Sequence, residues 1–264
     1  MKNPLLEKMA VLTPEPGHFA LCHLGQHSFL LKIGSDLLYL DPYLSPGSNR
    51  LIPPMIRAEE AADAWIVCGT HDHGDHIDRP SWPLIAQASP DARFIVPEAV
   101  RRSVSEVPAD RLVGMNAGET VAIGDIRIHA VPAAHELLDR DEKTGLYPYL
   151  GYVIEGPGVT VYHAGDCCLY EGIAAWLRKW HFSLALLPIN GRDAWRFTHD
   201  VIGCMTFQEA ADLAGVIRPD LVMPAHFDMF AVNTEDPQKF LDYMRVKYPA
   251  LRAELPPTGR VVLY

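Results

Sequence analysis

The run His71-Asp72-His73-Gly74-Asp75-His76 sets three histidines and two aspartates in six residues, directly behind the apolar stretch Trp65 to Gly69. That density does not suit an ordinary loop. Extended backbone puts alternate side chains on one side, so His71 and His73 can converge on a single cation. If the chain then curls toward a following helix, Asp75 and His76 swing to a neighbouring position, with Gly74 expected to permit the bend and a close backbone approach. Imidazole and carboxylate suit zinc, manganese or iron, and four such groups nearly furnish two half-filled sites. Further ligands must come from elsewhere. The candidates are His135 in VPAAHE, Asp166 in YHAGD and His226 in MPAHFD, each just beyond a strand-like run. The plain alternatives are a solvated turn for the cluster, a helix cap for Asp166 and a loop histidine for His135.

The rest of the chain says what carries these groups. Apolar runs flank Gly34-Ser35-Asp36, Gly124-Asp125 and Gly156-Pro157-Gly158, three hairpin signals. Strand and helix then alternate: helices are expected at 82–88, 98–106, 172–179, 207–217 and 237–247, and strands at 94–97, 183–187 and 221–223. Thr206 with Glu209 forms a capping box, and Asp236 precedes Pro237 at a first helical position. Hairpins followed by alternation, once in each half, predict an α/β class chain with two packed sheets and helices outside, a four-layer α/β/β/α sandwich. No Gly/Ser linker divides it, so 18–264 is expected to form one domain. Residues 1–17, with three prolines, are expected to be an irregular arm.

Composition narrows the function. The 264 residues carry 23 Lys and Arg against 33 Asp and Glu, a formal charge of −10, so nucleic acid is not an expected partner. Five cysteines without a C-x-x-C pair signal neither a disulfide framework nor a thiolate zinc site, which points to a reducing cytoplasm. No apolar run approaches the ~18 residues that span a bilayer, so no membrane association is expected. Pro4, Glu7, Pro14 and Pro16 break the apolar stretch that a leader peptide needs.

His-x-His-x-Asp-His, a later lone histidine, a Gly-Asp after a strand and a final histidine resemble the metallo-β-lactamase superfamily. THDHGDHID, VYHAGD, LALLPINGRD, and MPAHFDMF with NTEDPQ resemble its L-ascorbate-6-phosphate lactonase branch, although those lactonases are longer and lack a histidine at the place of His135. The resemblance implies the metallo-β-lactamase fold and two divalent ions, one held by His71, His73 and His135, the other by Asp75, His76 and His226, with Asp166 bridging them. It also implies a homo-oligomer by analogy.

Such a pair of ions makes hydroxide available near neutral pH, and Asp75 and Asp166 are the catalytic carboxylates that orient it. The expected activity is hydrolysis of a small anionic lactone or ester. A phosphodiesterase or ribonuclease on the same fold is one alternative, and a noncatalytic metal-binding protein another. Asn190, Arg192 and Arg196 sit where anion recognition would place them, with a local Arg192-Asp193 pair as the plain alternative, and Tyr170 is a possible hydroxyl donor to substrate. Asp41, His163 and Asp228 are candidates for orienting the ligands, against turn formation or packing. His18, His23, His27, His129, His181 and His199 show no ligand spacing.

Overall fold

The computed structural model describes residues 3–264. Its first sheet has seven strands in the order β13-β1-β2-β3-β4-β5-β6: β1 (Ala20–Gly25), β2 (Ser28–Ile33), β3 (Asp36–Leu40), β4 (Ile66–Cys68), β5 (Arg93–Pro97), β6 (Leu112–Met115) and β13 (Val262–Leu263). The second has six in the order β12-β11-β10-β9-β8-β7: β7 (Thr120–Ile123), β8 (Ile126–Pro132), β9 (Leu150–Gly156), β10 (Val159–His163), β11 (Leu184–Pro188) and β12 (Val222–Ala225). In each sheet antiparallel hairpins lead into parallel strands.

The period of two along β3 shows how four layers arise. Leu38 and Leu40 join Leu31, Ile66, Ile154 and Leu186 in a core between the sheets. Leu37 and Tyr39 face the other way, onto α1 (Pro4–Val11) and α2 (Trp82–Ala88). The outer face of the second sheet packs through Val153, Tyr162 and Leu187 on α3 (Ile173–Leu177), α5 (Phe207–Ile217) and α6 (Pro237–Lys247). The expected α/β/β/α sandwich is the observed architecture. Among the described residues no helix is long and apolar enough to cross a membrane.

Two expectations are corrected. The irregular arm expected at 1–17, of which 1 and 2 lie outside the described residues, instead holds a helix: Asn3 Oδ1 accepts from Leu5 N at 3.0 Å, Pro4 opens α1, and Leu6 and Met9 are buried against the first sheet. Proline at a first helical position costs no hydrogen bond, so Pro4 starts this helix rather than breaking it. The helix expected at 98–106 shrinks to a single 3-10 turn at Arg101–Ser103. The one Ser103 hydroxyl proton is shared between the Val100 carbonyl at 2.7 Å and Asp72 Oδ2 at 2.9 Å, a local alternative to helical bonding. The strands at 20–25 and 112–115 and a short helix, α4 (Ala194–Thr198), carry no strong sequence signal.

Because Met9 is fully buried, Met9→Ala is expected to lower stability by about 2–5 kcal/mol in urea titration. A change within ±0.5 kcal/mol, the range of surface substitutions, would show that α1 is not part of the core.

Candidate metal centre

β4 stops at Cys68, and Gly69 is obligatory there because a Cβ would lie 2.6 Å from Ile77 and 2.9 Å from Trp82. The chain then turns back on itself, with His76 N and Ile77 N both donating to the His73 carbonyl at 3.0 and 2.8 Å. The turn separates His71 and His73 from Asp75 and His76. Gly74 does not play the expected part: a Cβ there would meet open space, and its φ is outside the left-handed region. The demanding glycine is Gly165, whose φ is +61° and whose Cβ would lie 2.8 Å from Thr70. It aims Asp166 into the site from the end of β10.

The seven candidate donors form two sets. In one, His73 Nδ1 lies 2.9 Å from His71 Nε2 and 3.3 Å from His135 Nε2, and Asp166 Oδ2 lies 3.6 Å from His135 Nε2. In the other, Asp75 Oδ2 lies 3.6 Å from His76 Nε2 and 3.7 Å from His226 Nε2. Asp166 Oδ1 reaches into this second set, 3.3 Å from His76 Nε2 and 3.1 Å from His226 Nε2. His73 thus presents Nδ1 where the other four histidines present Nε2.

Asp41 holds this arrangement from below. It is fully buried with φ +44°, and its carboxylate accepts from Thr70 N and Oγ1 at 2.8 Å, His76 Nδ1 at 2.7 Å and His163 Nε2 at 2.9 Å. By accepting a hydrogen bond from Nδ1–H it fixes the tautomer that leaves His76 Nε2 free for a cation. His163 reaches the site through Asp41 and through the His27 ring, whose centroid lies 4.5 Å from its own. Asp228 acts at one remove, accepting from Gln26 N at 2.7 Å.

Gln26 itself was missed. Its Nε2 donates to Asp75 Oδ2 at 2.8 Å and lies 3.0 Å from His226 Nε2, while its carbonyl accepts from His226 N at 2.7 Å. Gln26 and His226 both have left-handed backbone, φ +57° and +58°, as does Asp41, so strain gathers around the donors. His27 was also passed over: it is buried, its Nδ1 lies 3.7 Å from Asp166 Oδ1, and burial followed by the charge of His163 lowers it to about 3.

The donors fit a cation. His76 Nε2 and Asp166 Oδ1 are buried without hydrogen-bond partners, which is costly unless something positive lies between them. Burial alone would depress His226, yet Asp166 and then Asp75 hold it up at about 9. His76 is raised in the same way against its burial by Asp166, Asp75 and Asp41. In the other set burial prevails over the pull of Asp166, and His135 falls to about 4. The carboxylates demand positive charge, and protons on two imidazoles stand where a metal ion would supply it.

The substrate candidates are placed differently from the donors. Arg192 forms a two-pronged pair with Glu209 at 2.6 Å, and Arg196 is held by Asp193 at 2.5 Å and the Thr234 carbonyl at 2.8 Å. Tyr170 donates its hydroxyl to the Pro132 carbonyl at 2.6 Å. Asn190 is fully buried and donates to Asn233 Oδ1 at 2.9 Å. A cleft of about 630 Å³ opens above His73, Asp75, His135, Asp166 and His226. Its walls include Leu51, Val201, Ile202, Phe230 and Asn233, and Arg50 is the one lysine or arginine among the described residues that line it.

A family model described as a beta-lactamase superfamily domain matches residues 38–227. The chain belongs to the beta-lactamase superfamily. It is 32% identical over 219 residues to a UPF0173 metal-dependent hydrolase of Thermococcus kodakarensis, covering 82% of this chain and 88% of that one. A UPF0173 metal-dependent hydrolase of Pyrobaculum calidifontis is 30% identical over 219 residues, covering 82% and 87%. In fold the chain is similar to Igni18, a metallo hydrolase of Ignicoccus hospitalis, with TM-score 0.70 and 21% identity over 94% of this chain and 98% of that one. It is also similar to an isothiocyanate hydrolase from Delia radicum gut bacteria, with TM-score 0.70 and 16% identity over 92% and 98%. The superfamily fold is shared with both. These relatives place the chain in the superfamily and do not show the lactonase branch.

Asp41→Asn keeps the size of the side chain but removes the carboxylate charge that fixes His76. Metal affinity, read by equilibrium dialysis, is expected to fall about 10–100-fold. Unchanged affinity in a folded variant would remove Asp41 from the support of the site.

Proposed function

We propose that the chain is a hydrolase that holds two divalent ions, manganese, zinc or iron, and cleaves a small anionic lactone or related ester. The observation that carries this reading is the pose of Asp166, whose two oxygens turn to different donor sets, Oδ2 toward His135 and Oδ1 toward His76 and His226. A carboxylate so placed would be shared by an ion held by His71, His73 and His135 and one held by Asp75, His76 and His226. When bound, such a pair of ions lowers the pKa of water toward ~7 and polarises the attacked carbonyl.

The chain's own groups do the rest. Asp166, only 4% exposed, orients the attacking water from beneath. Asp75 has a side chain 19% exposed to the cleft, and Gln26 occupies its Oδ2. Asp75 is thus the carboxylate placed to take up a proton and return it to the leaving oxygen, as general acid–base catalysis requires. The apolar wall of Leu51, Ile202 and Phe230 limits water beside the reacting carbonyl.

Anion recognition moves to Arg50. Arg192 and Arg196 already have carboxylate partners, whereas Arg50, stacked on the Tyr43 ring at 4.2 Å, donates through Nε and Nη1 only to the backbone carbonyls of Ile52, Tyr43 and Ser45 and forms no direct ion pair. Its position on the cleft wall supports an anionic substituent at that end.

The test is a panel of neutral and anionic lactones, carboxylic esters and phosphodiesters, assayed with manganese, zinc and iron. Anionic lactones or esters are expected to be the best substrates. His73→Ala and Asp166→Ala should each lose more than about a hundredfold in kcat/KM, since disturbing even a group that orients a ligand costs 10–100-fold. Activity surviving both substitutions would overturn the mechanism, and cleavage of phosphodiesters alone would overturn the substrate class.

A further inference from the structure

Cys204 lies between α4 and α5, in a segment with no obvious chemistry in its sequence, and its side chain is fully buried. Its Sγ belongs to a third group of donors: it, a carboxylate oxygen of Asp166 and a ring nitrogen of His226 all lie within 4.8 Å of one another. Both partners already belong to the site described above.

The thiol is presented by backbone fixed on each side. Cys204 N donates to the Gly191 carbonyl at 3.2 Å, and the Cys204 carbonyl accepts from Arg192 Nη1 at 3.1 Å. Gly191 N and Met205 N add bonds to the Met205 and Cys167 carbonyls at 3.0 and 2.9 Å. The Arg192–Glu209 pair therefore has a structural use: it anchors the strand-like segment that carries Cys204. The neighbouring thiols are committed elsewhere, Cys167 donating to the Cys168 carbonyl at 3.1 Å and Cys168 to the Gly203 carbonyl at 3.5 Å. A second observation points to a ligand in the same space, since buried Asp166 Oδ1 has no hydrogen-bond donor.

We propose that Cys204 is a thiolate ligand to the ion held by Asp75, His76, His226 and Asp166, and that it biases this position toward zinc over manganese. The proposal rests on the two-ion reading. Thiolate is a soft ligand that favours zinc, while carboxylate and imidazole alone leave manganese competitive. On binding, the thiol releases its proton to solvent and the sulfur lone pair forms the bond to the ion, with no change of oxidation state.

The metal-free protein loaded with cobalt(II) reads this directly. Visible ligand-field bands report occupancy, and an intense near-ultraviolet sulfur-to-cobalt band reports thiolate ligation. Wild type is expected to show both, Cys204→Ser to keep the visible bands and lose the sulfur band, and Cys168→Ser to keep both. In Cys204→Ser the preference for zinc over manganese should fall at least about tenfold. A sulfur band that survives Cys204→Ser, or visible bands without a sulfur band in wild type, would overturn the proposal. Should Cys204→Ser fail to fold, X-ray absorption of zinc-loaded wild type decides: sulfur at ~2.3 Å is expected, and only nitrogen and oxygen neighbours would refute it. If wild type binds no cobalt or zinc, the two-ion reading fails and this proposal with it. Thiolate signal in a protein that hydrolyses no lactone or ester would leave the ligand standing while the substrate class falls.

Discussion

Three carboxylates, Asp41, Asp75 and Asp166, are set among imidazoles at the sandwich edge, and everything else follows from keeping them ionised there. Burying an unpaired carboxylate is costly, so each must be matched by hydrogen bonds or positive charge. Asp41 is satisfied within the chain by Thr70, His76 and His163 and is held well below the usual carboxylate range despite its burial. Asp166 is not satisfied in that way. Its Oδ1 stays without a donor and draws positive charge onto His76 and His226. The same imbalance that would weaken an empty fold makes the site a strong receptor for a cation.

The sandwich supplies the geometry by ending strands at one edge. β3 delivers Asp41, β4 the cluster from His71 to His76, β8 leads to His135, β10 to Asp166 and β12 to His226. Two parallel pairings, β10 with β11 and β11 with β12, bring Asp166 and His226 to the same edge although about sixty residues separate them in the chain. The β1–β2 turn closes the ring, because Gln26 binds Asp75 through its side chain and His226 through its backbone. A hairpin turn is thereby used to tie the two halves of the molecule together across the donors.

Much of this was legible in the residues, and the limits have physical causes. His71 to His76 announced themselves because charge density behind an apolar run has few structural uses. The helices at 82–88, 207–217 and 237–247 matched their expected spans because proline and capping residues mark their starts. Gln26 was invisible: an amide in a hairpin turn has no distinguishing pattern, and its importance comes from contacts roughly fifty and two hundred positions away. For Arg192 and Arg196 the residues left anion recognition and a local Arg192–Asp193 pair both open, and the fold decides for pairing with different partners: Arg192 takes Glu209 at a helix start and Arg196 takes Asp193. Cys204 was set aside for lacking a C-x-x-C partner, yet its nearest potential co-ligands are a carboxylate and an imidazole brought by other strands. Gly74 misled in the opposite direction, since the turn closes through the His73 carbonyl without needing a glycine.

The central claim is that one carboxylate joins two ions. Anomalous diffraction from crystals grown with zinc or manganese, recorded on both sides of the metal edge, tests it most directly. Two peaks about 3.5 to 4 Å apart are expected, one beside His71, His73 and His135 and one beside Asp75, His76 and His226, with Asp166 between them. A single peak that Asp166 touches with one oxygen, or no peak among these side chains, would contradict it.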